Sequence, residues 1–182
     1  MEGLQRIAEG LYVLAVHTSS GQQRDPARAQ LREAVRTALA SLPSVPPEQI
    51  TIHATPGSAP HIDAAGRKVG CSFSHEDGLS LAALNLHGPV GIDLMKVQDI
   101  PDWESVARDY LGPETCAALS ACRPQDRPRA FAQAWTAHEA RLKCQGLPLT
   151  EWPAPTTTPQ LLHLMELTVP ADLIATLAWG QH

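Results

Sequence analysis

At 182 residues, 43% apolar and 18% charged, the chain has the composition of a soluble globular protein, long enough for one ample core or two small lobes sharing one. Nineteen acids against 14 bases give a net charge of −5. That balance excludes a general nucleic-acid binder and makes docking to an acidic partner depend on a local basic patch. Aromatics supply only 4% of residues, so the core must be built from Leu, Ala, Val and Ile.

Taken in chain order, the opening has no cationic leader, and its apolar run LYVLAV is too short to span a bilayer, which predicts a cytoplasmic protein without a membrane anchor. LYVLAVH after Gly10 reads as the opening strand. SSGQQRDPARA is a turn-rich link, in which Asp25 can cap a helix with Pro26 at its first position. Leu31, Val35, Leu39 and Leu42 fall on one face of that helix. Arg28, Arg32 and Arg36 form a basic stripe beside it, most simply a solvated face.

Ile50–Ala54 reads as a second strand and PGSAPHIDAAGRKVG as a loop broken by Gly57, Pro60 and Gly66. CSFSHEDG leads into Leu79–Leu86, apolar enough for a buried strand, and VGIDL reads as a short strand with Asp93 at its end. The second half turns helical. Asp102 can cap WESVARDYL, Gly112-Pro113 breaks it, and ETCAALSAC forms a further helical piece. Asp126 and Pro128 open a helix that Gly146 closes as a left-handed cap. WPAPTTTP is a linker, and HLMELTV and LIATLAW form a closing hairpin. The order predicts an α+β chain of two similar lobes, residues 1–88 and 89–182, in a pseudo-twofold arrangement. The four cysteines, Cys71, Cys116, Cys122 and Cys144, lack zinc-site spacing and read as reduced thiols.

Three stretches could carry chemistry. Phe131, Trp135 and Leu142 share a face of the helix AWTAHEARLKCQG, with Glu139 about 40° past Trp135 and Lys143 another ~40° round. Glu139 thus sits at the edge of the buried stripe, although an i,i+4 pair of this kind is commonly a surface ion pair. Asp93, at a strand end, stands where ligands approach a sheet, or else merely caps a turn. Together the two carboxylates could hold a hard cation such as Mg²⁺, which borrows phosphate oxygens. Ser74-His75 at a strand-to-turn junction could bind a phosphate. As nucleophile and base they would be ill placed, because neighbours on a strand point to opposite faces.

With these words in hand, SFSHEDG, VGIDLMK and FAQAWTAHEARLKCQGLPL, the sequence resembles the 4′-phosphopantetheinyl transferase superfamily, in particular its two-lobed type that activates peptide and polyketide synthases. Asp93 and Glu139 lie 46 positions apart, which fits the family's spacing. The resemblance implies a phosphopantetheinyl transferase of the holo-acyl-carrier-protein-synthase kind, which transfers 4′-phosphopantetheine from coenzyme A to a serine of an acyl or peptidyl carrier protein and releases 3′,5′-ADP. It implies Mg²⁺ held by Asp93 and Glu139, Glu139 as the base for the serine, Lys143 against the pyrophosphate, and Ser74, His75 and Arg67 around the coenzyme A phosphates. Chemistry of this type rests on positioning and on cations against developing charge. Met95 stands where many members carry a third acid, and His138 where a lysine is usual. Arg32 and Arg36 could replace basic contacts of a shortened first lobe. These departures leave open a descendant that binds coenzyme A or a carrier without transfer. A metal-assisted hydrolase using His75, Asp93 and Glu139 is less supported, since no hydrolase motif accompanies them. A monomer is expected, because both halves are present in one chain.

Overall fold

A computed structural model describes residues 3–19, 21, 24–41, 47–53, 60–64, 66–152 and 161–180. The chain is α+β and its strands pair antiparallel. A six-stranded sheet takes the first half: β1 (Gly3–Ala8), β2 (Leu11–His17), β3 (Ile50–His53), β4 (His61–Ala64), β5 (Arg67–Glu76) and β6 (Leu79–Asn85), in the order β1-β2-β6-β5-β4-β3. A three-stranded sheet takes the second: β7 (Val90–Lys96), β8 (Leu162–Leu167) and β9 (Leu173–Gly180), in the order β7-β9-β8. The helices are α1 (Arg24–Ala40), α2 (Trp103–Val106, continued to Leu111 by a wider π turn), α3 (Pro113–Ala121) and α4 (Arg127–Gln145).

Alternation along the strands sorts these elements into layers. Leu14, Ala82, Leu84, Val69, Cys71, Ile50 and Ile62 face Leu31, Val35 and Leu39 of α1. The other face of the large sheet, through Leu11, Val13, Ala15, Leu79, Leu81 and Ala83, packs on Val90, Ile92, Leu94, Leu173, Ala175 and Leu177 of the small one. One apolar cluster therefore joins both halves. On its outer side the small sheet carries α4, against Ala140, Cys144 and Ala178. A second helical cluster, with Phe131, Leu119, Ala107 and Leu111 at its centre, anchors α2 and α3 to α4.

Several expectations need correction. The strand at Leu11 is the second, since β1 precedes it; its mostly exposed pattern gave no alternation to read. Residues 61–64 and 67–70 are strand rather than loop. Ile62, Ala64, Val69 and Cys71 alternate into the core, and Gly66 at φ +77° makes the turn between them. α1 begins at Arg24, so Asp25 lies inside its first turn. Leu42, Ala54, Gly57 and the PAPTTTP portion of the linker lie outside the described residues. The Asp126, Pro128 and Gly146 signals mark α4 as expected, and the hairpin at the end of the chain is present.

All four cysteines are free, with Cys71, Cys116 and Cys144 buried. Burial pushes the Cys71 thiol up to about 12 and Cys144 up to about 11. Since the thiolate is the reactive form, a thiol reagent at about pH 8 should titrate Cys122 quickly and the others only after denaturation. Fast modification of Cys71 in the native protein would show that this core opens.

Candidate active site

β7 is an edge strand of the small sheet, so one side of its backbone lacks a strand partner. Side chains of β5 fill that role. Ser72 Oγ accepts from Ile92 N at 3.0 Å, Ser74 Oγ from Leu94 N at 3.0 Å, and Glu76 Oε1 from Lys96 N at 3.2 Å. Three polar residues at every second position of β5 thus meet three amides at every second position of β7. The Ser74 hydroxyl, buried, also donates to Asp93 Oδ1 at 3.1 Å.

Asp93 is not at a strand end. β7 continues to Lys96, with Met95 and Lys96 paired to Ile174 and Leu173, and Asp93 sits mid-strand opposite Thr176. It is only 7% exposed. Gly91, Asp93 and Met95 share the face that α4 covers. Gly91 allows the close approach: a Cβ there would lie 2.0 Å from the Ala140 carbonyl oxygen and 2.5 Å from the Cys144 amide nitrogen. Thr136, fully buried on α4, shares a 2.8 Å hydrogen bond with Thr176 and fixes the helix across the same two strands.

That approach brings Lys143 Nζ to 2.7 Å from Asp93 Oδ1 and 3.2 Å from the Ile92 carbonyl, to which it also donates. The helix end is held by a paired terminal motif: Gly146 N donates to Lys143 O and Leu147 N to Leu142 O, with Gly146 at φ +66°. Glu139, one turn earlier, is half-buried. Burial raises its carboxyl above the usual carboxylate range, the charge of Asp93 raises it further, and Lys143 opposes both. Asp93 and Glu139 feel each other's charge, and both could offer oxygen donors to a hard divalent ion, with Asp93 paired to the Lys143 ammonium in its absence. His138, in the place of the family's lysine, is held below the usual imidazole range by burial and then by Arg141, and its buried Nε2 has no hydrogen-bond partner. Burial thus works against a positive charge on this ring, where the resemblance expects a lysine.

Asp93, Glu139, Lys143 and Ser74 therefore belong to one neighbourhood. His75, one residue on, stands on the opposite face of β5, where Nδ1 meets Ser80 Oγ at 2.8 Å. This separates it from Ser74 and removes the ground for a nucleophile–base pair. Arg67 stands at the other end of β5, seven residues or roughly 23 Å from Ser74 at strand rise. There it lines an open cleft of about 640 Å³ with Lys68, Leu86, His87 and Gly88. Arg32 and Arg36 are exposed on α1, whose buried face covers the side of the large sheet away from β7. The sequence reading missed Gly91, Ser72, Glu76 and Thr136. Polar residues at period two in an otherwise apolar strand, S-x-S-x-E, were the available signal.

With this geometry in place, likeness to known proteins adds to it. Residues 89–170, which carry Asp93, Glu139 and Lys143, match the model of the 4′-phosphopantetheinyl transferase superfamily. Over 117 residues the chain is 28% identical to a putative 4′-phosphopantetheinyl transferase of Synechocystis sp., an overlap covering 64% of this chain and 48% of that protein. Over 75 residues it is 32% identical to the 4′-phosphopantetheinyl transferase HetI of Nostoc sp., covering 41% of this chain and 32% of HetI. The matched segments thus span about half of one relative and a third of the other. Over these segments the chain is similar to 4′-phosphopantetheinyl transferases, and the matched part holds two of its three motifs, VGIDLMK and FAQAWTAHEARLKCQGLPL. No helix among the described residues is long and apolar enough to cross a membrane.

Two outcomes follow from the geometry. Gly91→Ala should cost roughly 1–3 kcal/mol or more in denaturant unfolding, because the clash is with helix backbone that has no rotamer escape. An unchanged midpoint would show that α4 does not press on β7. A carboxyl raised by folding favours the protonated native state, so its contribution falls as pH rises through the ordinary carboxylate pKa. Glu139→Gln should therefore gain stability over wild type as pH rises from acid to neutral, and the gain should level off above the raised value. A stability difference independent of pH would contradict the assigned burial.

Proposed function

We propose that the protein transfers 4′-phosphopantetheine from coenzyme A to a serine of an acyl or peptidyl carrier protein and releases 3′,5′-ADP, in a Mg²⁺-dependent reaction. The observation that carries this reading is the placement of Asp93, Glu139 and Lys143 at one crossing of α4 over β7, within the segment that matches the superfamily. Asp93 and Glu139 would hold the magnesium ion, which would supply positive charge against the pyrophosphate. Glu139, with its raised carboxyl, accepts the proton of the carrier serine. The serine oxygen forms a bond to the phosphorus that carries the pantetheine arm, and the bond from that phosphorus to the oxygen of the departing 3′,5′-ADP breaks. Lys143 faces the charge that gathers on the leaving pyrophosphate oxygens. Ser74 is a positioning residue, since its hydroxyl holds both Leu94 and Asp93. Of the set that the resemblance implied for the 3′-phosphate we retain His75, near the hairpin end of β5. Arg67 is too far along that strand to act beside it.

In the same reading, residues 1–88 and 89–182 are the two lobes, the protein works as a cytoplasmic monomer, and its carriers belong to fatty-acid, polyketide or nonribosomal peptide assembly.

Incubation of apo carrier proteins with coenzyme A and Mg²⁺, followed by intact mass measurement, should show addition of one phosphopantetheine arm. Glu139→Gln should slow transfer by about 10²–10⁴-fold, the usual worth of a positioned base, while the variant remains folded. No mass gain on carriers of all three kinds would overturn the assignment. Coenzyme A binding indifferent to Mg²⁺, without transfer, would point instead to a binding protein, which Met95 in place of a third acid favours.

A further inference from the structure

We propose a second metal site, for a borderline divalent ion such as Zn²⁺, at the outer edge of the large sheet, formed by His53, His61 and Asp63. His53 and His61 are direct cross-strand partners on β3 and β4, and Asp63 lies two residues along β4, on the same face. The alternate residues Ile50, Ile52, Ile62 and Ala64 turn inward to the α1 core, so the pleat puts the polar three on the opposite face, where on these edge strands His53 and His61 are exposed and Asp63 is partly so. The imidazoles stack at 4.5 Å with ring planes 10° apart, and His53 Nε2 lies 3.0 Å from Asp63 Oδ2. One donor atom from each residue falls within 4.8 Å of the other two, a spread that side-chain rotation narrows to the separation required around a zinc ion with bonds of about 2.0–2.2 Å.

Two imidazoles and a carboxylate suit zinc or its neighbours in the transition series far better than Mg²⁺, which prefers oxygen donors. This separates the site in chemistry from the Asp93–Glu139 pair. It is separate in space as well, since His61 pairs with Gly70, four residues along β5 from Ser74. On binding, the ion takes the place of the proton between His53 and Asp63, which passes to solvent. His53 and Asp63 are 43% and 45% exposed at the side chain, so water completes the coordination. The ion would tie the four-residue edge strand β3 to β4, a place where a short edge otherwise depends on few ladder bonds. Lys68, opposite Asp63, is the neighbouring cation against which the ion must compete.

The test is titration of the full-length protein with Zn²⁺ against a chromophoric chelator, without coenzyme A, supported by the visible absorption of Co²⁺ in the same site. Wild type should bind one ion that raises the melting temperature. His61→Ala and His53→Ala should each weaken binding by at least the roughly 10–100-fold that loss of even an outer-shell partner costs, and Asp93→Asn should leave it intact. No binding by folded wild type, binding unchanged in the double histidine variant, or binding lost in Asp93→Asn or Cys122→Ser instead would overturn the proposal.

Discussion

The fold turns on how an edge strand is covered by side chains rather than by another strand. β7 offers the amides of Ile92, Leu94 and Lys96 to Ser72, Ser74 and Glu76 of β5, and the first two bonds are buried. A buried amide without an acceptor costs about 1–3 kcal/mol, so these hydroxyls set the register of one sheet against the other as a ladder would. Apolar packing between Leu81, Ala83, Ile92 and Leu177 holds the layers together, but it is non-directional. The hydroxyls supply the direction. Because Ser74 also donates to Asp93, the contact that registers the sheets orients the carboxylate too.

From that carboxylate the charges follow. Asp93 is almost buried, and such a charge is retained only when paired. Lys143 pairs it, and it can do so because Gly91 lets α4 lie against β7 and because the terminal motif at Gly146 fixes the last turn. Glu139, on the same helix, then has a negative neighbour and little water, and its proton affinity rises. In the proposed reaction these groups would be the base and the metal-binding pair, prepared before any ligand arrives. Preorganisation of this sort is where phosphoryl transfer draws most of its rate.

Much of this was legible in the chain. Strong local signals were read correctly: the Asp126, Pro128 and Gly146 boundaries of α4, the apolar run of β6, and the turn before the last strand. The acids and lysine were found through the motif, and the structure brings Lys143 against Asp93 with Glu139 within reach of its charge. What failed was local too. Asp93 looked like a terminator because a charge seldom sits in the middle of a buried strand; only the tertiary partners Ser74 and Lys143 make that tolerable. Residues 60–70 looked like a loop because glycine and proline masked a period-two pattern. The resemblance put Arg67 with Ser74 and His75 around the phosphates, and the extended strand β5 carries it to the far end. Gly91 was read as part of a word and not as a contact, since its role depends on a helix 49 positions later.

The most direct test is a crystal structure with coenzyme A and Mg²⁺ bound. We expect one ion about 2.0–2.1 Å from oxygens of both Asp93 and Glu139, with Lys143 turned from Asp93 toward the pyrophosphate and Ser74 still bonded to Leu94. A complex in which the ion touches only one of the two acids, or in which Lys143 keeps its hold on Asp93 while coenzyme A binds elsewhere, would contradict the account.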